Sequence, residues 1–154
     1  ELDNVTSFSI GTLSDDLVPR LIQTLHANPQ IVNIQIMIWT VTKSDLLSDL
    51  LTAMSHIVRL DIQYVTDSNI EPIKREIRKF PKLNYLKLPI LFFPKKGDAV
   101  KFVWGMPSLE HFSIHDGQYL YNFDTLEAKR ICQRHKHNRK MKECSLTWRL
   151  LEMV

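Results

Sequence analysis

The residues from Ile57 to Leu88 read IVRLDIQYVTDSNIEPIKREIRKFPKLNYLKL and carry one short apolar pattern twice. Positions 1, 4 and 6 are apolar in each copy, and the second copy begins 26 residues after the first, since 83 minus 57 is 26. These positions hold Ile57, Leu60 and Ile62 in the first copy and Leu83, Leu86 and Leu88 in the second. A pattern that returns at a fixed spacing indicates a structural repeat.

The same spacing covers most of the chain in both directions. Steps of 26 residues find three more apolar sets, and all fifteen positions are apolar although only 44% of the chain is hydrophobic. The added sets are Val5, Phe8 and Ile10; Ile31, Ile34 and Ile36; and Leu109, Phe112 and Ile114. Chance would give this agreement roughly a few times in a million, so the sequence predicts five repeat units. A sixth set, Met141, Cys144 and Leu146, fits after an insertion of six residues.

Each unit combines a strand pattern with a helix pattern. A strand of about three to four residues buries positions 4 and 6, and position 1 turns the preceding loop onto the same core. In the third unit, Ser68 and Glu71 predict a capping box, and apolar residues at helical spacing continue to Phe80 before Pro81. Strand and helix thus alternate at a period that favours a curved solenoid.

Two further local predictions concern the ends of the repeat array. In the first unit the helix is expected to begin near Ser14, with Asp15 and Asp16 in its first turn, where the helix dipole favours negative charge. In the fifth unit the segment HDGQYLYNFD (115–124) is expected to form a long loop.

These units resemble leucine-rich repeats. The pattern L-x-x-L-x-L, the 26-residue period and the segment Val65-Thr66-Asp67 before the helix are most similar to the cysteine-containing repeats of F-box proteins. The segments LSDDLVPRLIQTLHANPQIVNIQI (13–36) and VTDSNIEPIKREIRKFPKLNYLKL (65–88) carry the resemblance best. It implies an α/β fold, a right-handed leucine-rich-repeat solenoid with short parallel strands on the concave side and helices on the convex side.

The chain departs from that family at position 9, where Asn or Cys is expected. Position 9 is held by Leu13, Trp39, Val65, Leu91 and Gly117. The polar ladder that would lie under the loops is therefore expected to be missing.

Composition limits the domain organisation and the compartment. The 154 residues are enough for one domain, residues 1–154, and the first residue is Glu, so a longer parent chain is expected. The sequence contains neither a run of eighteen apolar residues nor a start typical of a signal peptide, so no membrane association is predicted. Its two cysteines lie inside periodic patterns, which favours a reducing compartment, the cytoplasm or the nucleus.

Motifs that carry chemistry are scarce. The sequence has no glycine-rich phosphate loop, nucleophile elbow or paired metal motif, so we predict neither catalysis nor a cofactor. Cys132, His135, His137 and Cys144 have a spacing that zinc ligands can show. Cys144, however, takes the position that Phe8 and its equivalents take in the other units, which favours a small buried side chain over a metal ligand.

A basic segment extends from Lys129 to Lys142. It contains seven Lys or Arg and no acidic residue, so the rest of the chain sums to −4, since the whole chain is +3. The segment has two interpretations. The first is functional, as an electrostatic surface for nucleic acid, anionic lipid or an acidic partner, or as a localisation signal. The second is a solvated helix end whose cations complement the helix dipole.

The repeat itself predicts a binding surface. Positions 3 and 5 of each strand point away from the core, onto the concave face of a solenoid. The candidate partner-binding residues are Asn33, Gln35, Arg59, Asp61, Tyr85, Lys87, His111 and Ser113, flanked by Ser7 and Ser9. An aromatic residue among charges on rigid strands is typical of binding surfaces.

The leading hypothesis is a protein interaction module. The resemblance implies that it is the substrate-recognition region of an F-box ubiquitin-ligase receptor, with the ligase adaptor bound through residues upstream. The alternative is a nuclear or nucleic-acid-associated adaptor that uses the basic segment 129–142.

Overall fold

The computed structural model describes residues 4–94, 98–106, 108–116 and 120–124. Within them strands and helices alternate along the chain. The elements are β1 (Ser7–Leu13), α1 (Val18–Ala27), β2 (Asn33–Trp39), α2 (Ser44–Ala53), β3 (Arg59–Val65), α3 (Asp67–Ile77), β4 (Tyr85–Pro89), a 3-10 turn (Ile90–Phe92), α4 (Asp98–Trp104), β5 (His111–His115) and β6 (Leu120–Asp124).

The strands form one six-stranded sheet in chain order. β1 to β5 are parallel, and β6 pairs antiparallel with β5. The predicted α/β class with parallel strands between helices is therefore confirmed. The loop expected over residues 115–124 is wrong, because β6 occupies half of that segment. Its sequence LYNFD contains Tyr121 and Phe123, which favour strands.

Paired residues are 26 apart in each of the four parallel strand pairs. The row at position 4 is Phe8, Ile34, Leu60, Leu86 and Phe112. Positions 1, 4 and 6 are buried in the second to fifth units, as predicted, and form the core with the helices. In the first unit Val5, Phe8 and Ile10 are only half-buried, because β1 has one neighbouring strand.

Position 9 forms an apolar row at the end of the first three strands. Leu13, Trp39 and Val65 are buried, whereas Leu91 is exposed. Because the strands continue to this row, β1 to β3 have seven residues each rather than three or four. A strict alternation of faces would turn position 9 outward, but β2 and β3 break the alternation between positions 6 and 9.

Side-chain hydrogen bonds still connect neighbouring loops, at positions other than the ninth. Asp15 lies in a turn before α1 and not in the first helical turn. Its carboxylate accepts hydrogen bonds from the backbone N–H groups of Thr42 and Lys43, at 2.8 and 3.3 Å, and from the Thr42 hydroxyl. The first of these loops therefore holds the start of α2 in the next unit.

The capping box predicted at Ser68 and Glu71 is wrong, and a similar connection between loops is found at the start of α3 instead. The residue that precedes α3 is Thr66, and its hydroxyl accepts a hydrogen bond of 3.0 Å from the Asn69 amide. The buried Asn69 amide also donates to the Val41 carbonyl in the preceding loop. The helix thus begins earlier than predicted, because Asn69 connects its first turn to the second unit.

Pro89 interrupts the ladder between β3 and β4. Between neighbouring parallel strands, the N–H of residue i+27 donates to the carbonyl of residue i where that carbonyl faces the next strand. Arg59, for example, donates to Val32 at 3.0 Å. The equivalent donor for the Ile62 carbonyl would be residue 89, and proline has no N–H. His115, on the next strand along, places its Nε2 atom 3.1 Å from the Ile62 oxygen and supplies the missing donor.

Aromatic packing fills the fourth unit, where no helix directly follows the strand. The Phe93 ring lies 5.3 Å from Phe102 and 5.6 Å from Phe112, both in edge-on contact. Phe92 is fully buried beside them. This cluster connects the 3-10 turn, α4 and β5 and keeps the sheet covered up to its fifth strand.

Candidate partner-binding surface

The side chains at positions 3 and 5 of β1 to β5 form the predicted binding surface, which is called the concave surface after the expected solenoid. The register aligns them in two rows that cross the strands. The first row is Ser7, Asn33, Arg59, Tyr85 and His111, and the second is Ser9, Gln35, Asp61, Lys87 and Ser113. The structure thus brings all eight predicted residues together on one face of the sheet.

Polar side chains on β1 and β2 order one side of this surface. The Asn33 amide donates to the Ser7 hydroxyl at 3.0 Å. The Ser9 hydroxyl lies 3.4 Å from the Gln35 carbonyl oxygen, and the Gln35 amide nitrogen lies 3.4 Å from Asp61 Oδ2. These contacts join residues 26 apart, so the repeat that builds the core also builds the polar network.

Asp61 lies at the centre of the second row. Its Oδ2 atom is 3.5 Å from Lys87 Nζ, in an ion pair whose side chains are about one-fifth exposed. The other oxygen, Oδ1, is buried and has no hydrogen-bond partner among the described residues. Because Oδ1 is buried, a ligand on this surface meets Asp61 through the Oδ2 side, which is already held by Lys87.

Arg59 and Tyr85 form the centre of the first row. The guanidinium carbon of Arg59 lies 4.3 Å from the Tyr85 ring centroid, a distance typical of a cation–π contact. On the other side the His111 ring lies 6.3 Å from Tyr85 at an interplanar angle of 45°. Arg59 and His111 are exposed and Tyr85 is half-buried, so this group offers both an aromatic surface and a cation to a ligand.

Ser113 is the one predicted residue that does not contribute accessible surface. It is buried, with 5% of its surface exposed. Its side chain is short, and β5 has a strand on each side, β4 and β6. Ser113 therefore offers little surface to a partner, although its place in the row is as predicted.

A shallow depression of about 400 Å³ occupies the concave surface. It extends over β1 to β4 and is lined mainly by residues of the two rows. Its lining includes Ser7, Ser9, Asn33, Gln35, Arg59, Asp61 and Tyr85. A volume of this size suits a few side chains of a partner.

An exposed apolar group at the carboxyl ends of β2 and β3, called the apolar ledge, follows the two rows along these strands and is not among the predicted site residues. It consists of Met37, Ile38 and Tyr64, with exposed fractions of 48%, 40% and 52%. Ile38 and Tyr64 are paired in the register of the two strands. The signal in the sequence is the run from Ile36 to Trp39, four consecutive apolar residues that one strand cannot bury together.

The other candidate residues are not part of the concave surface described above. The basic segment 129–142, the sixth unit and the four residues considered for zinc are outside the described residues. In the described ranges, His, Cys, Asp and Glu do not cluster in threes at a spacing that would hold a metal ion. The same part of the chain contains no helix that is both long and apolar enough to cross a membrane.

Comparison of the chain with protein family models, with curated proteins and with solved structures finds no match. The fold and the surface define an α/β protein with five parallel strands in one sheet. An α/β fold of this kind can serve many functions, so the functional evidence in this chain is its surface.

Proposed function

We propose that this chain is a solenoid of the leucine-rich-repeat type and that its concave surface binds a protein partner. The solenoid is supported by the constant 26-residue register and by strands that pair in chain order. In such a stack each unit contacts mainly its neighbours, and one face presents a continuous surface of short strands.

The observation that carries the binding proposal is the Arg59–Tyr85 contact at the centre of two ordered polar rows. Arg and Tyr are enriched among residues that dominate interface energy, and they act best on rigid supports. Here the backbone of both residues is held in a parallel sheet with a strand on each side. The partner class is protein because the surface combines aromatic, apolar and mixed charged groups.

The resemblance to F-box proteins extends this proposal to ubiquitin transfer. In that role the concave surface recognises the substrate of a ubiquitin ligase, and an F-box elsewhere in the parent polypeptide binds the adaptor subunit. Co-purification of the parent polypeptide with a ligase adaptor tests this extension. Loss of the adaptor on deletion of the segment upstream of residue 1 is the expected result, and a parent polypeptide that never retains an adaptor contradicts it.

Two matched variants test the binding proposal. The concave variant combines Arg59→Asp, Tyr85→Ala and His111→Ala, and the basic-segment variant replaces Arg134, Lys136, Arg139 and Lys140 by Ser. Crosslinking capture from cells identifies partners of the unmodified chain, and calorimetric titration then measures each variant. We expect the concave variant to lose at least about 2 kcal/mol of binding free energy, because central Arg and Tyr residues dominate interfaces.

The basic-segment variant is expected to bind the same partner with nearly unchanged affinity. Loss of binding in that variant alone overturns the concave-surface proposal and favours the alternative of a nucleic-acid-associated adaptor. Binding of RNA or DNA with a steep dependence on salt concentration would support the same alternative. Equal melting temperatures for the two variants ensure that a loss of binding is not a loss of fold.

A further inference from the structure

The guanidinium group of Arg59 is left without an acidic partner on the concave surface. Ion pairs within the described residues join Lys74 to Glu71, Arg75 and Lys79 to Glu76, and Lys87 to Asp61. Only the last of these pairs is on the concave surface, where Lys87 and Asp61 neutralise each other. In the same part of the chain the Arg59 side chain forms neither an ion pair nor a hydrogen bond, and it contacts the Tyr85 ring at 4.3 Å.

The charge of Arg59 and the apolar ledge indicate what kind of partner segment fits. We propose that the concave surface, in the partner-binding role proposed above, takes an extended peptide segment that places an Asp or Glu carboxylate on Arg59 and an apolar side chain on the ledge. A guanidinium presents its N–H donors in a planar fork that matches a carboxylate through two parallel hydrogen bonds. The Tyr85 ring restrains the guanidinium, which lowers the entropy lost when the partner binds.

A carboxylate fits this site better than a phosphate group does. The concave surface offers one uncompensated cation, and Asp61 lies two residues further along the same strand on the same face. A phosphate monoester carries about −1.5 to −2 charges at neutral pH, so it would leave negative charge beside Asp61. A single carboxylate balances Arg59 and leaves the Lys87–Asp61 pair intact.

The apolar ledge supplies the second contact. Six large apolar side chains are exposed in the described ranges, and three of them form the ledge: Met37, Ile38 and Tyr64. Clustered exposed apolar side chains next to a polar surface are typical of interaction sites. Tyr64 follows Arg59 by five residues on β3, a separation of about 16 Å at roughly 3.3 Å per residue. An extended peptide covers that distance in about four to six residues.

A random library of twelve-residue peptides displayed on phage tests this inference with residues 1–154 as bait. The enriched peptides are afterwards titrated against the concave variant (Arg59→Asp, Tyr85→Ala, His111→Ala). We expect the enriched peptides to share an Asp or Glu with a Leu, Ile, Phe, Tyr or Trp four to six residues away.

A double-mutant cycle then locates the acid. Arg59→Gln in the protein and acid→amide in an enriched peptide should each weaken binding at least tenfold, and the two changes together should weaken it little further. Ile38→Ser with Tyr64→Ser should also weaken binding at least tenfold through the loss of apolar contact. Arg75→Gln, which removes an exposed cation on α3, is the matched control and should leave the affinity unchanged.

The outcomes separate this inference from the proposed function. Enriched peptides without an acidic residue, or additive effects in the cycle, overturn the inference. If the same peptides fail to bind the concave variant, the proposed function still stands. Enriched peptides that bind the concave variant equally well overturn both. The absence of any enrichment overturns the peptide inference, and the partner-capture experiment then decides the function alone.

Discussion

Trp39 shows how one residue can stabilise the core and still carry a cost. Its side chain is fully buried at position 9 of β2, between Leu13 and Val65 in the same row. The indole N–H has no hydrogen-bond partner among the described residues. A buried donor without a partner costs about 1 to 3 kcal/mol, and the apolar ring has to offset that cost by its contacts.

We therefore expect Trp39→Phe and Trp39→Ala to differ widely. Trp39→Ala should lower the free energy of unfolding by about 3 to 5 kcal/mol, because it leaves a large cavity. Trp39→Phe should cost less than about 1.5 kcal/mol, because it removes the unpaired donor along with part of the ring. Urea unfolding of both variants measures the difference, and equal losses would show that the indole N–H is bonded after all.

Asp15 couples the first two units in a way that depends on pH. The hydroxyl of Thr42, then its backbone N–H, lower the pKa of Asp15 below its ordinary value of 3.8. A carboxyl group whose pKa is lower in the folded state stabilises the fold above its unfolded pKa. That stabilisation is lost as the pH falls below about 3.8 and through the folded pKa.

Asp15→Asn is expected to be less stable than the unmodified chain at pH 7, and the difference should shrink as the pH falls below about 3.8. Denaturant titrations between pH 7 and pH 2.5 measure it. Asp49→Asn is the control, because the exposed Asp49 carboxylate accepts no hydrogen bond within the described residues. A difference for Asp15→Asn that stays constant over the whole range contradicts the prediction.

At the scale of the elements, β4 is where the repeat is least regular. Pro89 ends the strand after five residues and removes the donor that the Ile62 carbonyl would otherwise have. His115 spans from β5 to that carbonyl and restores the hydrogen bond. The N–H that Pro89 lacks is thus replaced by a donor on His115, the residue that pairs with Pro89 in the register of β4 and β5.

This compensation predicts coupling between the two positions. His115→Ala should cost about 1 to 2 kcal/mol, because the Ile62 carbonyl is left without its protein donor. In a Pro89→Val background the same change should cost much less, since the introduced valine provides a backbone N–H for the ladder. A double-mutant cycle on the free energy of unfolding measures the coupling. Additive losses would mean that His115 acts independently of Pro89.

At the scale of the whole molecule, stability should depend on a residue's place in the stack. Leu60 and Leu86 lie in the middle of the position 4 row and are fully buried, whereas Phe8 is half-buried at its end. In a stack of repeats the end unit is covered on one side only, and its local opening is correspondingly easy.

Leu60→Ala and Leu86→Ala are each expected to lower the free energy of unfolding by about 2 to 5 kcal/mol. Phe8→Ala should cost less than either, although phenylalanine is the larger side chain. Amide hydrogen exchange should show the same order, with slower exchange in β3 than in β1. Losses below about 1 kcal/mol at both leucines would contradict the packing described above.

The regular features of the molecule were predictable because they depend on periodicity. Residues 26 apart share an environment, so Leu60 and Leu86 were predicted as core and Arg59 and Tyr85 as surface from spacing alone. The remaining features depend on contacts between different units. Asp15 is one example. Local sequence predicts it in a helix start, but its hydrogen-bond partner Thr42 is 27 residues away and gives no local signal.

The lengths of the strands were missed for a similar reason. The break in alternation before Trp39 and Val65 has no local signal in either residue, and it is set by the burial of the whole position 9 row. The same break exposes Ile38 and Tyr64, so the apolar ledge was missed together with it. Ser113 was placed correctly in its row, and only the strand beyond it determined its burial.

The uniform register also makes the length of the molecule an adjustable quantity. Between β1, β2 and β3 the register is the same at each step, so an added unit of 26 residues would extend the sheet by one strand. A second copy of residues 31–56 inserted after His56 would set Ile34 beside Ile34 and Asn33 beside Asn33, which brings no like charges together within the sheet, because β2 contains no charged residue. A second copy of residues 57–82 would set Arg59 beside Arg59 and Asp61 beside Asp61. The sheet can therefore be lengthened at the second unit without opposing like charges across its strands, but not at the third.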